Sequence, residues 1–281
     1  MKMNNIIDCK SIRDKYIEKI KKKKITDCTV AFVQVGNNSA SCTYVRNKKK
    51  LCEEAGINVQ HYHLCANTSQ NELLAIIKRL NDNVNITGIM VQLPLQEHIS
   101  EEIIINAIDP SKDIDGFHIK NKGKVVVGDK SGIIAATARG IMTILEEEKI
   151  NLEGKNVVIV GRSNIVGKPL SSLLINAGAT VTVCNSKTDK KYLVELIHKS
   201  DIFISAIGQA NYFNKELLNG YLENTIAIDV GINRDNEGKL CGDIDKELYP
   251  YFKRVTSVPG GVGLTTQMAV VSNIVDLYKS N

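Results

Sequence analysis

Tyr44 and Lys48 stand four residues apart in Ser39-Ala40-Ser41-Cys42-Thr43-Tyr44-Val45-Arg46-Asn47-Lys48. On a helix that spacing puts a phenol and an amine on one face, where they could orient a ring and handle a proton. An ordinary surface helix offers a plainer reading: a half-covered tyrosine beside a lysine that joins Arg46, Lys49 and Lys50 in a solvated basic face. Two more polar groups bear on the choice. Gln92, in Val91-Gln92-Leu93-Pro94-Leu95, ends an apolar run just before a proline that cannot continue a central strand. Asp115 lies in Lys112-Asp113-Ile114-Asp115-Gly116-Phe117-His118, a polar, turn-rich stretch. Alone it reads as a solvated loop, and His118 as a surface residue.

The elements that must position these groups alternate between strand and helix. The patterning predicts helices at 8–19, 41–55, 70–80 and 100–107, and strands at 29–35, 58–64 and 87–91. Ser69-Gln70-Asn71-Glu72 is a capping box for the third helix. Apolar strands separated by helices imply an α/β fold with a mainly parallel sheet covered on both faces. Active groups then gather at the strands' carboxyl ends, which brings Lys48, Gln92 and Asp115 to one edge.

A second unit follows. Thr137 is the expected N-cap of a helix 138–149 leading into the strand Lys155 to Gly161. The turn Gly161-Arg162-Ser163-Asn164-Ile165-Val166-Gly167 then opens a helix through Asn176, an arrangement whose backbone N–H groups and dipole suit a phosphate. Ser163 and Val166 stand where the second and third glycines of Gly-x-Gly-x-x-Gly would fall, so pattern alone leaves a variant Rossmann turn and a plain tight connection both open. The strand Thr180 to Cys184 ends in Asn185-Ser186-Lys187-Thr188, without the acid that an NAD-preferring domain places about 20 residues past the glycines. A hydroxyl, an amine and Arg162 there favour a ribose 2′-phosphate, hence NADP. Further strands are expected at 202–206, 225–230 and 255–257, with a polar hairpin around Asn236-Glu237-Gly238. Pro259-Gly260-Gly261-Val262-Gly263 is too glycine-dense for a helix or strand interior, and a final helix is expected at 266–279.

Composition narrows the class. With 281 residues, 43% of them hydrophobic, the chain can fill two ordinary domains. Neither the start, Met1-Lys2-Met3-Asn4-Asn5-Ile6-Ile7-Asp8, nor any later run is apolar enough for a signal peptide or membrane span, so a cytoplasmic protein is expected. Seven scattered cysteines without a Cys-x-x-Cys pair suit free thiols in a reducing compartment, and five histidines without ligand spacing predict no metal. The basic run Lys19 to Lys24 lacks interleaved aromatics and reads as a solvated helix end, not a nucleic-acid surface; the net charge of +5 favours anionic small ligands.

Over nearly its whole length the chain resembles the bifunctional methylenetetrahydrofolate dehydrogenase/methenyltetrahydrofolate cyclohydrolase family. The resemblance rests on Val35-Gly36 through Ser41, Tyr44-Val45-x-x-Lys48, Val91 to Leu95, Lys112 to His118, Gly161 to Pro169, Ile228-Asp229-Val230-Gly231-Ile232-Asn233 and Val258 to Gly263, in that order. It implies two domains with an active-site cleft between them. One is an N-terminal strand-helix catalytic domain, 1–137, joined by a C-terminal helix, 264–281; the other is a Rossmann-type NADP-binding domain, 138–263. It further implies oxidation of 5,10-methylenetetrahydrofolate with NADP, hydrolysis of the methenyl product to 10-formyltetrahydrofolate, and a homodimer.

By matching position, Lys48 is the central cyclohydrolase residue and Gln92 its hydrogen-bond partner, Tyr44 lines the folate's aromatic portion, and Asp115 holds the pterin. Leu93, Pro259, Gly260 and Gly261 complete the substrate site. Thr137, Gly161, Arg162, Ser163, Ile165, Ser186 and Ile232 carry the cofactor. Departures from the family pattern are Ala135-Ala136-Thr137-Ala138-Arg139-Gly140 for Pro-Cys-Thr-Pro-x-Gly, Gln96 for a continued Leu-Pro, and Gly263-Leu264-Thr265-Thr266 for Gly-Pro-Met-Thr. They imply looser loops and weaker binding. Two other readings are a folate- and NADP-binding protein with one or both activities weakened or lost, against which the intact Lys48, Gln92 and Asp115 argue, and a shikimate-type dehydrogenase, which leaves Tyr44-x-x-x-Lys48 unexplained.

Overall fold

The structure, a computed structural model, describes residues 5–220 and 222–280; the first four residues of the opening octapeptide lie outside them. The chain divides into two compact units, one formed by 15–136 with 267–280, the other by 5–14 with 137–266. Among the described residues no helix is long and apolar enough to cross a membrane.

The first unit begins within helix α1 (Cys9–Lys21) and runs through β1 (Thr29–Val35), α2 (Ser39–Glu54), β2 (Asn58–Leu64), α3 (Gln70–Asp82), β3 (Gly88–Val91), α4 (Glu101–Ala107) and α5 (Ile119–Val126). The three strands are parallel in the order β2-β1-β3. Central β1 shows why its sequence lacks alternation: Val30 and Phe32 join a core with Val45, Cys52 and the chain's last helix, while Ala31, Val33 and Val35 join another with Leu73, Ile77 and Ile104. The capping box forms, with Ser69 Oγ accepting from Glu72 N–H and the Glu72 carboxylate accepting from Ser69 N–H. Asn38 caps α2 by accepting from Ser41 N–H at 3.0 Å, which sets where the Tyr44–Lys48 face begins.

The stretch 112–118 is not a solvated loop. It runs parallel beside β3, with Ile89 N–H donating to Lys112 O and Ile114 N–H to Ile89 O. The buried Asp113 carboxylate then folds the chain back by accepting from Gly116 N–H (3.0 Å), His118 N–H (2.8 Å) and Asn121 Nδ2 (2.9 Å). His118 is buried and caps α5, its Nδ1 accepting from Lys120 N–H. Lys112 Nζ donates to the carbonyls of Leu80, Asn81 and Asn83, satisfying the open end of α3.

The second unit continues with α6 (Ala136–Glu147), β4 (Asn156–Val160), α7 (Gly167–Asn176), β5 (Thr180–Cys184), α8 (Lys190–His198), β6 (Ile202–Ser205) and β7 (Ile226–Asp229). The hairpin β8 (Asn233–Arg234) and β9 (Leu240–Cys241), a 3₁₀ turn at Lys246–Tyr251 and β10 (Arg254–Val255) complete it, and α9 (Val262–Ser280) starts there and returns from residue 267 to the first unit. Apart from that antiparallel hairpin, the second unit's strands form one parallel sheet in the order β10-β7-β6-β4-β5, a Rossmann-type sheet. Asn5, Ile6 and Ile7 pair beside β10, and Arg254 grips Glu148 with two hydrogen bonds of 2.8 and 2.9 Å.

Four expectations need correction. Thr137 is not an N-cap: α6 starts at Ala136, a strong helix former, and the Thr137 hydroxyl instead meets that of Thr266 at 3.5 Å. The last helix starts at Val262, because Gly263 occupies a first turn that tolerates it and Leu264 N–H already bonds Gly261 O. The strand expected at 255–257 is Arg254–Val255, since Ser257 bends into the glycine loop. Helix α5 was not expected, its apolar periodicity being too short to register.

Asn273, fully buried on α9, donates to Ile114 O (2.7 Å) and Ile134 O (2.9 Å) and so fixes the backbone on which Asp115 sits. Asn273→Ala strands the buried Ile114 carbonyl and the partly buried Ile134 carbonyl and should lower stability by about 2 kcal/mol. Urea unfolding checks this; a loss within about 0.5 kcal/mol would mean that the asparagine is not the pin of this segment.

Candidate functional site

Lys48 is carried by α2 after β1, Gln92 by the end of β3, where its N–H extends the ladder to Val33 O, and Asp115 by the segment added beside β3. Lys48 and Asp115 come together as expected. Their charged atoms are 3.8 Å apart, and the side chains are only 12% and 10% exposed. Tyr44, one helical turn before Lys48, is half-buried, and burial pushes its phenol above the ordinary value.

The expected hydrogen bond between Lys48 and Gln92 is not made. Lys48 Nζ donates instead to the Met90 thioether at 3.2 Å, and Gln92 Nε2 turns back onto Leu93 O at 2.5 Å. Gln92 Oε1 is buried and has no partner among the described residues. A buried acceptor of this kind is costly unless a donor meets it, so the atom is poised for a ligand N–H or O–H. Met90 went unnoticed in the sequence because it reads as one more apolar residue of a buried strand. Asp113 and Asn273 were missed because they act on backbone, which leaves no motif.

The second unit carries the remaining groups. Gly161, at the end of β4, has φ +123, and a Cβ there would stand 2.3 Å from Ala206 O; at Gly167, the first residue of α7, one would stand 2.1 Å from Gly161 O. Only glycine permits this turn. No side chain caps α7, and Ser163 Oγ accepts from Val166 N–H within the turn. Arg162, Ser163 and Ile165 are exposed here, and Ser186 and Lys187 are exposed past the end of the neighbouring strand β5. The positive end of a helix dipole, a glycine cradle and an Arg–Ser–Lys fringe without an acid fit a dinucleotide bearing an extra phosphate. Ile232, exposed, follows β7, and Thr137 lies within α6. After Pro259, Gly260 has φ +101, and a Cβ on Gly261 would come 2.3 Å from Ser257 O, so this loop too requires glycine. Among the described residues no group of three or more His, Cys, Asp or Glu could hold a metal ion.

The electrostatics of the first cluster are testable. Burial pushes the Asp115 carboxyl above its ordinary value, Lys48 pulls it back, and Asp113 pushes it up further. Lys48→Met removes the only downward influence among these, so the Asp115 midpoint should move higher still. Carboxyl carbon NMR titration reads this; an unmoved midpoint would mean that the two groups do not share a site.

Comparison with known proteins accounts for the arrangement. Residues 7–115 match the catalytic domain of tetrahydrofolate dehydrogenase/cyclohydrolase, and 135–281 match the NAD(P)-binding domain of the same family. The bifunctional protein FolD of Agathobacter rectalis is 44% identical over 99% of this chain and 100% of its own length. The crystal structure of the bifunctional FolD dehydrogenase/cyclohydrolase from Campylobacter jejuni superposes with a TM-score of 0.92 at 42% identity, covering 98% of each chain. The Trypanosoma brucei enzyme, solved with NADP and an inhibitor, gives 0.88 at 30% identity over 98% of this chain and 97% of its own. With both domain models matched and relatives similar from end to end, the chain belongs to the tetrahydrofolate dehydrogenase/cyclohydrolase family.

Proposed function

We propose that Tyr44, Lys48, Gln92 and Asp115 carry the chemistry of a bifunctional enzyme. It oxidises 5,10-methylenetetrahydrofolate to the 5,10-methenyl cation with NADP and hydrolyses that cation to 10-formyltetrahydrofolate, a step of one-carbon metabolism. The observation that carries this reading is the Lys48–Asp115 pair at 3.8 Å, with the unpartnered Gln92 Oε1 on the adjoining strand end.

NADP, when bound, accepts the hydride. The chain's share in that step is positioning, which supplies much of the acceleration when reacting atoms are held in near-attack geometry. Asp115, held by the turn that Asp113 and Asn273 brace, offers a carboxyl to the several N–H groups of a pterin. Tyr44 presents its ring to the substrate's aromatic portion, and by family resemblance Leu93, Pro259, Gly260 and Gly261 are further substrate residues. Arg162, Ser163 and Ser186 take the ribose phosphate, and Gly161, Ile165, Thr137 and Ile232 seat the rest of the dinucleotide.

Hydrolysis needs more than positioning. Water adding to the methenyl carbon must lose a proton, and Lys48 Nζ is the group placed to manage it, its stem shielded and its nearest neighbours a weak sulfur acceptor and a carboxylate beyond hydrogen-bond length. Gln92 Oε1 accepts from the water or from Lys48 as the site fills. The reading includes a cytoplasmic homodimer, supported by family membership.

Two outcomes follow. Lys48→Met keeps the aliphatic stem and removes the amine, so cyclohydrolase activity should fall by about 10²- to 10⁴-fold while some dehydrogenase activity survives. Following NADPH and methenyl absorbance together decides it, and hydrolysis at the parent's rate would sink the assignment. NADP should be preferred to NAD by about two decades in kcat/KM, and Arg162→Ala should shrink that ratio. Equal efficiency with the two cofactors would remove the phosphate site from this reading.

A further inference from the structure

Away from the proposed catalytic cluster, the second unit buries two carboxylates that no step of the reaction uses. Asp229, at the end of β7, is 1% exposed, and Asp243, just past β9, is 0% exposed. Among the described residues neither has a cationic partner; each is satisfied by N–H and O–H donors. Asp229 accepts from the N–H groups of Gly231 (3.0 Å), Asp243 (3.0 Å) and Ile244 (2.9 Å). Asp243 accepts from the Ser205 hydroxyl (2.8 Å), Ile207 N–H (2.8 Å), Gln209 N–H (2.9 Å) and Asn233 Nδ2 (2.9 Å). The two are crossed. A Cβ on Gly231 would lie 2.1 Å from Asp243 Oδ1, and one on Gly242 would lie 1.8 Å from Asp229 Oδ2, so each carboxylate fills the space over a glycine beside the other.

What these donors have in common is where they sit. The segment 205–209 follows β6, and its Ala206 carbonyl is the atom against which Gly161, the first glycine of the phosphate turn, is pressed. The segment 231–233 follows β7 and carries Ile232. Asp229 N–H donates to Thr256 Oγ1, and the Thr256 Cβ lies 3.2 Å from where a Gly261 Cβ would be. One buried pair therefore touches, directly or through one neighbour, two of the loops assigned to the dinucleotide, those after β4 and β7, and the glycine-rich segment.

We propose that Asp229 and Asp243 are positioning residues for NADP: a crossed carboxylate pair that sets the loops after β4, β6 and β7 at one spacing, with Asp243 the member on which cofactor affinity depends. The proposal rests on the NADP reading above. Burial pushes the Asp229 carboxyl up to about 7, with Asp243 adding to the effect, which is consistent with a pair held close by the fold in spite of its charge.

Asp243→Asn is nearly isosteric but turns one acceptor oxygen into a donor: at the Oδ1 place it loses the bonds from Gln209 N–H and Asn233 Nδ2, and at the Oδ2 place it loses that from Ile207 N–H, since only the Ser205 hydroxyl can turn to accept. The Kd for NADPH, read by fluorescence titration, and the KM for NADP should rise about tenfold or more. Hydrolysis of supplied methenyltetrahydrofolate, which consumes no cofactor, should stay within about twofold of the parent, a split that a general loss of folding would not produce. Unchanged NADPH affinity overturns the proposal, and so does an equal loss of both activities in a variant whose circular dichroism matches the parent. Should Asp243→Asn fail to fold, Ser205→Ala removes a single donor and should weaken NADPH binding about threefold to tenfold, with parental affinity again overturning the idea. The parent's own titration keeps the two claims apart: no NADPH binding there refutes the cofactor reading, whereas parental binding matched by the variants refutes only this one.

Discussion

A carboxylate withdrawn from water must be met by donors, and much of this backbone is shaped by that requirement. Among the described residues Asp113, Asp229 and Asp243 are buried without an ion pair, and each is met mainly by N–H groups of nearby turns. A turn that converges its amides on one carboxylate is a fixed turn, because leaving any amide unmet in the interior costs more than its bond contributes. The same burial has a thermodynamic consequence. Asp229 titrates near 7 instead of 3.8, so its contribution to stability is full below about pH 3.8 and is lost as pH rises to about 7. At neutral pH that residue works against folding, and the network of donors around it limits the cost.

Asp115 is the exception that marks the site. It too is buried, if less completely, yet the charged group that faces it is an ammonium at 3.8 Å and not a ring of amides. Asp113, two residues earlier, takes the amides that shape the turn, which leaves Asp115 uncommitted. A tight salt bridge of about 2.8 Å would have tied both charges to each other. The wider spacing, with a thioether as the hydrogen-bonding neighbour of Lys48 among the described residues, leaves both groups open toward a third partner. Gln92 repeats the theme, its amide nitrogen spent on its own chain and its oxygen left over.

The α/β architecture was legible because strand burial is written into runs such as Thr29–Val35 and Asn156–Val160, and because Ser69 and Ser100 cap their helices as their types suggest. Tyr44 and Lys48 were legible by helical spacing once further motifs fell into order. Other features had no periodic signature. Thr137 looked like a cap, but whether a threonine begins a helix depends on what precedes it, and here buried Ala136 already continues the turn. The role of Lys112 as a cap for α3 arises from the two segments being adjacent in space, some thirty residues apart in sequence. Asn273 lies 159 residues from the carbonyl it holds. Crossed contacts such as those of Gly231 and Gly242 show in sequence only as two glycines.

The departures from the family pattern can now be weighed against the hydrogen bonds that this chain makes. A missing proline loosens the unfolded chain and the loop by about 0.4 to 1 kcal/mol. A hydrogen bond to a charged group contributes about 1.5 to 3 kcal/mol, and Asp243 alone accepts four. Leu264, where the pattern has proline, makes a bond from its N–H to Gly261 O that proline could not make. The alanines at 135, 136 and 138 are buried, and two of them lie in α6, a helix that begins without proline's help. Gln96 sits against Gly36, its amide directed at Val35 O at 3.5 Å, so a weak polar contact stands where a ring would have been. The buried acids act elsewhere, on the turn at 112–118 and on the loops after β6 and β7, where amides converge on Asp113, Asp229 and Asp243. At Leu264 and in α6 it is therefore local backbone bonding and burial, not those acids, that stand where the family pattern has proline.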